Sequence, residues 1–245
     1  MTPDLALWVY PALLIIAALY ASVGHGGASG YIAVFTVAGL APDTLKPTAL
    51  LLNLGVASVA LWQYRHDFNV RLWAPWALGA APLAVLGGAL SVHNTLLSGL
   101  LALTLLVAAG RLWWQTAHPT QITAAPRHIA LLGGAGIGLL AGMTGTGGGI
   151  FLTPLLLFRS WANPRGAATL SAAFILSNSL CGLLGHVWQA KPLPSIHFIL
   201  PLTLLTVLGG AMGAYGARRF APPPFIRRLL ALVLLVAVLK LMQLV

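Results

Sequence analysis

The sequence predicts an all-α integral membrane protein made of two inverted five-segment repeats, each opening with a glycine-broken helical hairpin. Three observations predict it: an apolar excess, a recurring glycine cluster, and arginines that sort to one side. The 245 residues are 59% hydrophobic and only 7% charged, whereas a soluble domain carries about 25% charged residues. Glutamate is absent, and the acids are Asp4, Asp43 and Asp67. No polar linker divides the chain, so 1–245 reads as a single transmembrane domain. The net charge of +10 does not signal nucleic acid, because Lys and Arg occupy short gaps between apolar runs, as membrane loops require. A lone cysteine, Cys181, excludes an intramolecular disulfide and sits in an apolar run as a packing residue. The first apolar run has no Lys or Arg before it and no clear cleavage site, so it reads as a mature span.

A membrane helix needs about 20 apolar residues. Full-length candidates run from Leu5 to Val23, Pro47 to Tyr64, Trp73 to Val92, Leu96 to Trp114, His128 to Met143, Gly166 to Trp188, Phe198 to Ala217 and Ile226 to Leu244. Two pieces, Tyr31 to Leu40 and Ile150 to Phe158, are too short to span, and each follows a glycine cluster. Tryptophans fall near the ends of runs, where an indole is expected at the membrane interface.

The halves repeat. Gly24-His25-Gly26-Gly27 aligns with Gly145-Thr146-Gly147-Gly148 at an offset of 121 residues, and Leu86-Gly87-Gly88-Ala89 with Leu208-Gly209-Gly210-Ala211 at 122. Thr48 and Thr169 fit the register, whereas Asn53 and Asn178 match only with an extra helical turn. The repeats are placed at 1–115 and 126–245. If each broken pair crosses once, the repeats are parallel and the basic residues scatter. If each makes a hairpin, the repeats are inverted. Arg65, Arg71, Arg111, Arg127, Arg159, Arg165, Arg218, Arg219, Arg227 and Arg228 then share one side, against Lys46, Lys191 and Lys240 on the other. The positive-inside rule selects the hairpin, makes the arginine side cytoplasmic and puts both termini outside.

The glycine clusters are the candidate binding site. Irregular backbone survives in a bilayer only where protein or water satisfies it. A short helix after each cluster would aim partial positive charge and free N–H donors at the break, which favours an anion. Two such ends entering from opposite faces would meet near the midplane. The candidate substrate-binding residues are Ser22, Gly24, His25, Gly26, Gly27, Ser29 and Asn53 from the first half. Thr144, Gly145, Thr146, Gly147, Gly148, Gly149 and Asn178 are those from the second. Close helix packing is the competing role of glycine, and it is assigned to Gly87, Gly88, Gly209 and Gly210. No Lys-Ser/Thr follows the glycines, so a nucleotide phosphate loop does not fit.

Opened by Gly24-His25-Gly26-Gly27 and Gly145-Thr146-Gly147-Gly148-Gly149, the halves resemble the TauE/SafE family of sulfite and organosulfonate exporters. The likeness covers nearly the whole chain. The family's proline after the second motif is matched by Pro154, while Ala33 stands at that place in the first half and His25 interrupts the glycines. The resemblance implies export of a small sulfur-containing anion, such as sulfite or sulfoacetate, across the cell membrane.

His25, ionisable and at membrane depth, is the candidate for proton coupling. A neutral, hydrogen-bonded histidine at a helix break is the alternative. The other histidines, His186 among them, are expected at the interface. Gln63, Tyr64 and Ser177 are lesser binding candidates, and Arg65, Arg159 and Arg165 could steer anions at the cytoplasmic mouth. No histidine pair has metal-ligand spacing, so no metal or cofactor is expected. Nor is an enzyme: neither paired acids nor a nucleophile–base pair can be named. Expected partners are a small anion and the bilayer, with no nucleic acid, and a homodimer is compatible with the sequence. The mechanism expected is alternating access, with an anion channel using the same site as alternative. Voltage, proton and sodium coupling all stay open.

Overall fold

A computed structural model describes residues 5–90 and 122–220, with scattered helical positions between 106 and 113 and between 225 and 239. The expected spans Leu96 to Trp114 and Ile226 to Leu244 therefore lie essentially outside the described residues. All described regular structure is helical: α1 (Val9–Ala21), α2 (Ala28–Val37), α3 (Pro42–Tyr64), α4 (Val70–Ala89), α5 (Arg127–Thr144), α6 (Gly149–Phe158), α7 (Pro164–Trp188) and α8 (Ile196–Phe220). A short 3-10 turn, Arg65–Asp67, joins α3 to α4. Among the described residues, four helical stretches are long and apolar enough to cross a membrane: Thr44–Asp67, Val70–Ala89, Pro164–Trp188 and Ile196–Ala217. The 10-residue α2 and α6 reach only about 15 Å at 1.5 Å per residue, half a bilayer core.

Local chemistry sets the boundaries. α3 begins at Pro42, five residues before the sequence-based start, and carries Pro47 inside it. Proline at the first helical position loses no intrahelical bond, so Pro42 starts the helix and only Pro47 removes a donor. α7 likewise begins at Pro164 rather than Gly166, and the Asn163 side chain accepts from the Gly166 N–H at 2.7 Å. Asn69 caps α4 by accepting from the Arg71 N–H at 3.0 Å. The residues preceding α2 and α6, Gly27 and Gly148, have φ of 96° and 86°. That left-handed backbone lets the chain turn back into a helix at once, and a side chain there would be strained.

α1 packs on α8 and α5 on α4, while α3 and α7 meet centrally. α5 presents Gly134, Gly138 and Gly142 at four-residue spacing to the backbone of Trp76, Ala80 and Ala84 on α4, so these helices run parallel in close contact. Gly209 and Gly213 of α8 do the same against Leu14 and Ala18 of α1. α3 and α7 run antiparallel: Leu50 lies beside Gly182, and Tyr64 beside Thr169. Gly87, Gly88 and Gly209 pack against neighbouring backbone and Gly210 against Val56, the packing role expected of them.

Large apolar side chains such as Leu78, Leu132, Leu204 and Met212 point outward, a surface suited to lipid and not to water. Trp76 and Trp161 are buried and tilt against each other with ring centroids 6.0 Å apart. Room for the Trp76 indole comes from Gly133 on α5, which has no side chain to meet it. His186 is also buried, its Nε2 lying 3.3 Å from the Pro192 carbonyl. Burial of a polar ring is tolerated where a backbone group can partner it.

Candidate functional site

The first break follows α1. Its backbone is tied down by the His25 N–H donating to the Tyr20 carbonyl at 2.9 Å and the Tyr64 hydroxyl donating to the Ser22 carbonyl at 2.9 Å. α2 then starts with the Ala28 N–H donating to Asn53 Oδ1 at 3.1 Å. A helix leaves its first N–H groups without intrahelical acceptors, and here one of them is satisfied by an amide from the centre of α3. The Ser29 hydroxyl bonds the Tyr20 hydroxyl at 2.8 Å.

The second break follows α5. Thr144 Oγ1 donates to the Leu140 carbonyl and lies 2.9 Å from Thr146 Oγ1. Gly145 abuts the stem of Lys46. The next three glycines leave no space for side chains. A Cβ on Gly147 would lie 2.7 Å from Asn53 Nδ2, one on Gly148 3.1 Å from Asn178 Nδ2, and one on Gly149 2.8 Å from the His25 ring.

The two breaks thus meet, though they lie about half the chain apart in sequence. Asn53 touches both and also donates to Ser179 Oγ at 3.4 Å. His25 Nε2 lies 2.9 Å from Thr153 Oγ1 on α6, and Thr153 continues to Ser171 Oγ on α7 at 2.6 Å. Ser22, His25, Ser29, Asn53, Thr146 and Asn178 are all buried, so the cluster is closed to solvent. Among the described residues, neither amide atom of Asn178 has a hydrogen-bond partner.

Of the sequence candidates, His25, Gly26, Asn53, Gly147, Gly148, Gly149 and Asn178 converge on one locus. Gly24 and Gly145 stand at its margins, packed on Ala168 and Lys46, and Gly27 on Tyr31. Ser22 and Thr144 turn their hydroxyls to carbonyls of their own helices. The lesser candidate Ser177 bonds the Phe174 carbonyl. Sequence reasoning missed Tyr20, Thr153, Ser171 and Ser179. For the last two the signal was present, since Ser171, Ile175, Asn178 and Ser179 fall on one face of a helix by three- and four-residue spacing. Among the described residues, no group of three His, Cys, Asp or Glu could hold a metal ion.

The family described as "Sulfite exporter TauE/SafE" matches residues 9–241. The chain belongs to the TauE/SafE family. It is a multi-pass membrane protein of a transporter family. It is also 35% identical over 239 residues to "Probable membrane transporter protein y4hK" of Sinorhizobium fredii (strain NBRC 101917 / NGR234), covering 94% of this chain and 96% of that one. No solved structure matches. In this TauE/SafE chain the half-helices differ in one respect visible in the motifs: Pro154 lies within α6, whereas α2 carries Ala33.

Proposed function

We propose that the protein is a secondary transporter that exports a small sulfur-containing anion, such as sulfite, sulfoacetate or a related organosulfonate, by alternating access. The observation that carries this reading is the convergence of two half-helix N-termini on one buried locus, with the unpartnered Asn178 amide beside Gly148. Free N–H groups and the positive ends of two helices would hold an anion without a fixed cation. Bare glycine backbone allows the close approach such bonds need. The sulfur chemistry rests on the family's description.

The inverted arrangement, with repeats at 1–115 and 126–245, belongs to the same proposal. It is supported by the antiparallel course of the equivalent helices α3 and α7. It is supported too by the exchange of partners, α1 with α8 and α5 with α4. Equivalent hairpins then approach the locus from opposite faces, the layout that lets a carrier expose one site alternately. Burial of the locus favours this carrier over an open channel.

An inside-negative potential favours anion exit by about 2.3 kcal/mol per charge per 100 mV, enough to drive export without a carboxylate relay. Proteoliposomes loaded with sulfite or sulfoacetate should release it when the potential is imposed, with saturation and counterflow. Flux that ignores the potential and requires a pH gradient would replace voltage by proton coupling, and unsaturable flux would favour a channel. Gly148→Leu should abolish flux while the protein still inserts, because its side chain would occupy the space beside Asn178 and Phe174. Unimpaired transport by that variant would move the site elsewhere.

A further inference from the structure

A cavity lies away from the glycine breaks. It measures about 200 Å³ and opens between the first turns of α4 and α5 and the turn joining α6 to α7. Pockets for drug-sized ligands measure about 300–1,000 Å³, so this one suits something smaller. Arg71 and Arg127 stand in its lining and are exposed, while Trp76, Trp161, Ala130 and Leu170 form a buried apolar floor. Among the described residues, no carboxylate lines it. Arg159 lies over the Trp161 ring at 5.4 Å, which steadies the indole and adds a third cation close by.

We infer that this cavity is a waiting site for the transported anion on the arginine side, and that it prefers an oxyanion carried on a short apolar stem. The inference rests on the transport reading given above and adds where the anion docks first. Guanidinium groups match the flat, multi-oxygen face of a sulfonate or carboxylate with paired N–H donors. An apolar floor gains from a stem and gains nothing from a bare inorganic ion. Position supports the role. Leu170 is one helical turn before Phe174 on α7, and Ala130 two turns before Ile137 on α5. Phe174 and Ile137 are the side chains that flank Gly148. The cavity floor is therefore the outer face of the apolar barrier that closes the second break, and an anion held there waits one barrier from the binding locus.

The experiment uses propane-1-sulfonate as probe, in phosphatidylcholine alone and in a parallel arm with phosphatidylglycerol added. In Gly148→Leu the central locus is blocked, so any saturable binding reports the cavity. Binding should persist in that variant. It should weaken at least tenfold when Arg71→Gln and Arg127→Gln are both added, since about tenfold is expected from losing a single charge-assisted contact. In a protein with Gly148 intact, the same two arginine changes should raise KM from the arginine face about tenfold and leave the opposite-face KM nearly unaltered. The second measurement keeps the inference testable should Gly148→Leu fail to fold. Trp161→Ala should weaken propane-1-sulfonate more than sulfite. Binding indifferent to both arginines, equal KM changes on the two faces, or an arginine effect that appears only with anionic lipid would overturn the waiting site. The last result would assign the cavity to a lipid headgroup. Absence of any flux in the wild-type protein would instead sink the transport reading and leave the binding result to stand on its own.

Discussion

Asn178 is 2% exposed, yet neither atom of its amide is bonded among the described residues. A buried polar group left unpaired costs about 1–3 kcal/mol, so the fold alone gives no reason to keep an amide there. Asn53 is the contrast: equally buried, it accepts from Ala28 and donates to Ser179. Asn178→Leu is expected to raise thermal stability, or leave it unchanged, while anion flux falls at least tenfold, the loss of one bond to a charged ligand. Asn53→Leu is expected to lower both. Melting temperature in detergent and flux in vesicles separate the cases, and a destabilised Asn178→Leu would mean the amide serves the fold. At His25, bonded to Thr153 and through it to Ser171, the neutral structural histidine and the proton relay make different predictions. His25→Ala should remove any pH dependence of flux while anion binding is retained, if the ring couples protons. A pH profile matching the wild type would leave His25 its structural part alone. The sequence exposes His25, Asn53 and Asn178 because polar groups stand out in apolar runs. It hides Thr153 and Tyr20, whose hydroxyls matter only through partners that folding brings from α7 and α2.

At the scale of elements, glycine carries two meanings that composition cannot separate. The clusters at Gly24–Gly27 and Gly145–Gly148 end helices, whereas Gly134, Gly138 and Gly142 continue one. This four-residue stripe was not singled out from the sequence, and its partner α4 is separated from α5 by a long stretch of chain. The half-helices were legible as pieces too short to span, and their positions hold within three residues at Tyr31 and one at Ile150. The early starts of α3 and α7 were missed, since an apolar-run criterion passes over Pro42 and Asn163, which act through backbone geometry. The stripe makes a sharp comparison within one helix. A Cβ at Gly138 would collide with the Ala80 backbone, while one at Gly136 would meet nothing within 4 Å among the described residues. Gly138→Leu should destabilise the protein by about 1–3 kcal/mol or more, as overpacking does, and Gly136→Leu should be close to neutral. Equal melting temperatures for the two variants would remove close α4–α5 packing as a source of stability.

For the molecule as a whole, the informative quantity is the side on which equivalent loops emerge. The turn between α3 and α4 contains His66, and the loop between α7 and α8 contains Gln189, and both residues are exposed. If each glycine-broken pair crossed the membrane once, each half would have four crossings and these two loops would emerge on the same side. If each pair is a hairpin, the second half starts on the opposite side from the first, and the loops emerge on opposite sides. The described helices favour the hairpin. Ser29 and Gly30 of α2 fold back on Tyr20 and Ile16 of α1, and α3 runs antiparallel to α7. Charge agrees, because Arg65 and Arg71 flank the first loop and Lys191 the second, and arginine-rich loops stay cytoplasmic. In a Cys181→Ser background, His66→Cys and Gln189→Cys can be challenged in intact cells with a membrane-impermeant maleimide. Gln189→Cys should label at once, and His66→Cys only after the membrane is permeabilised. Labelling of both from one side would make the repeats parallel. It would also remove the opposed hairpins on which alternating access depends, and leave the buried glycine locus to be explained as packing.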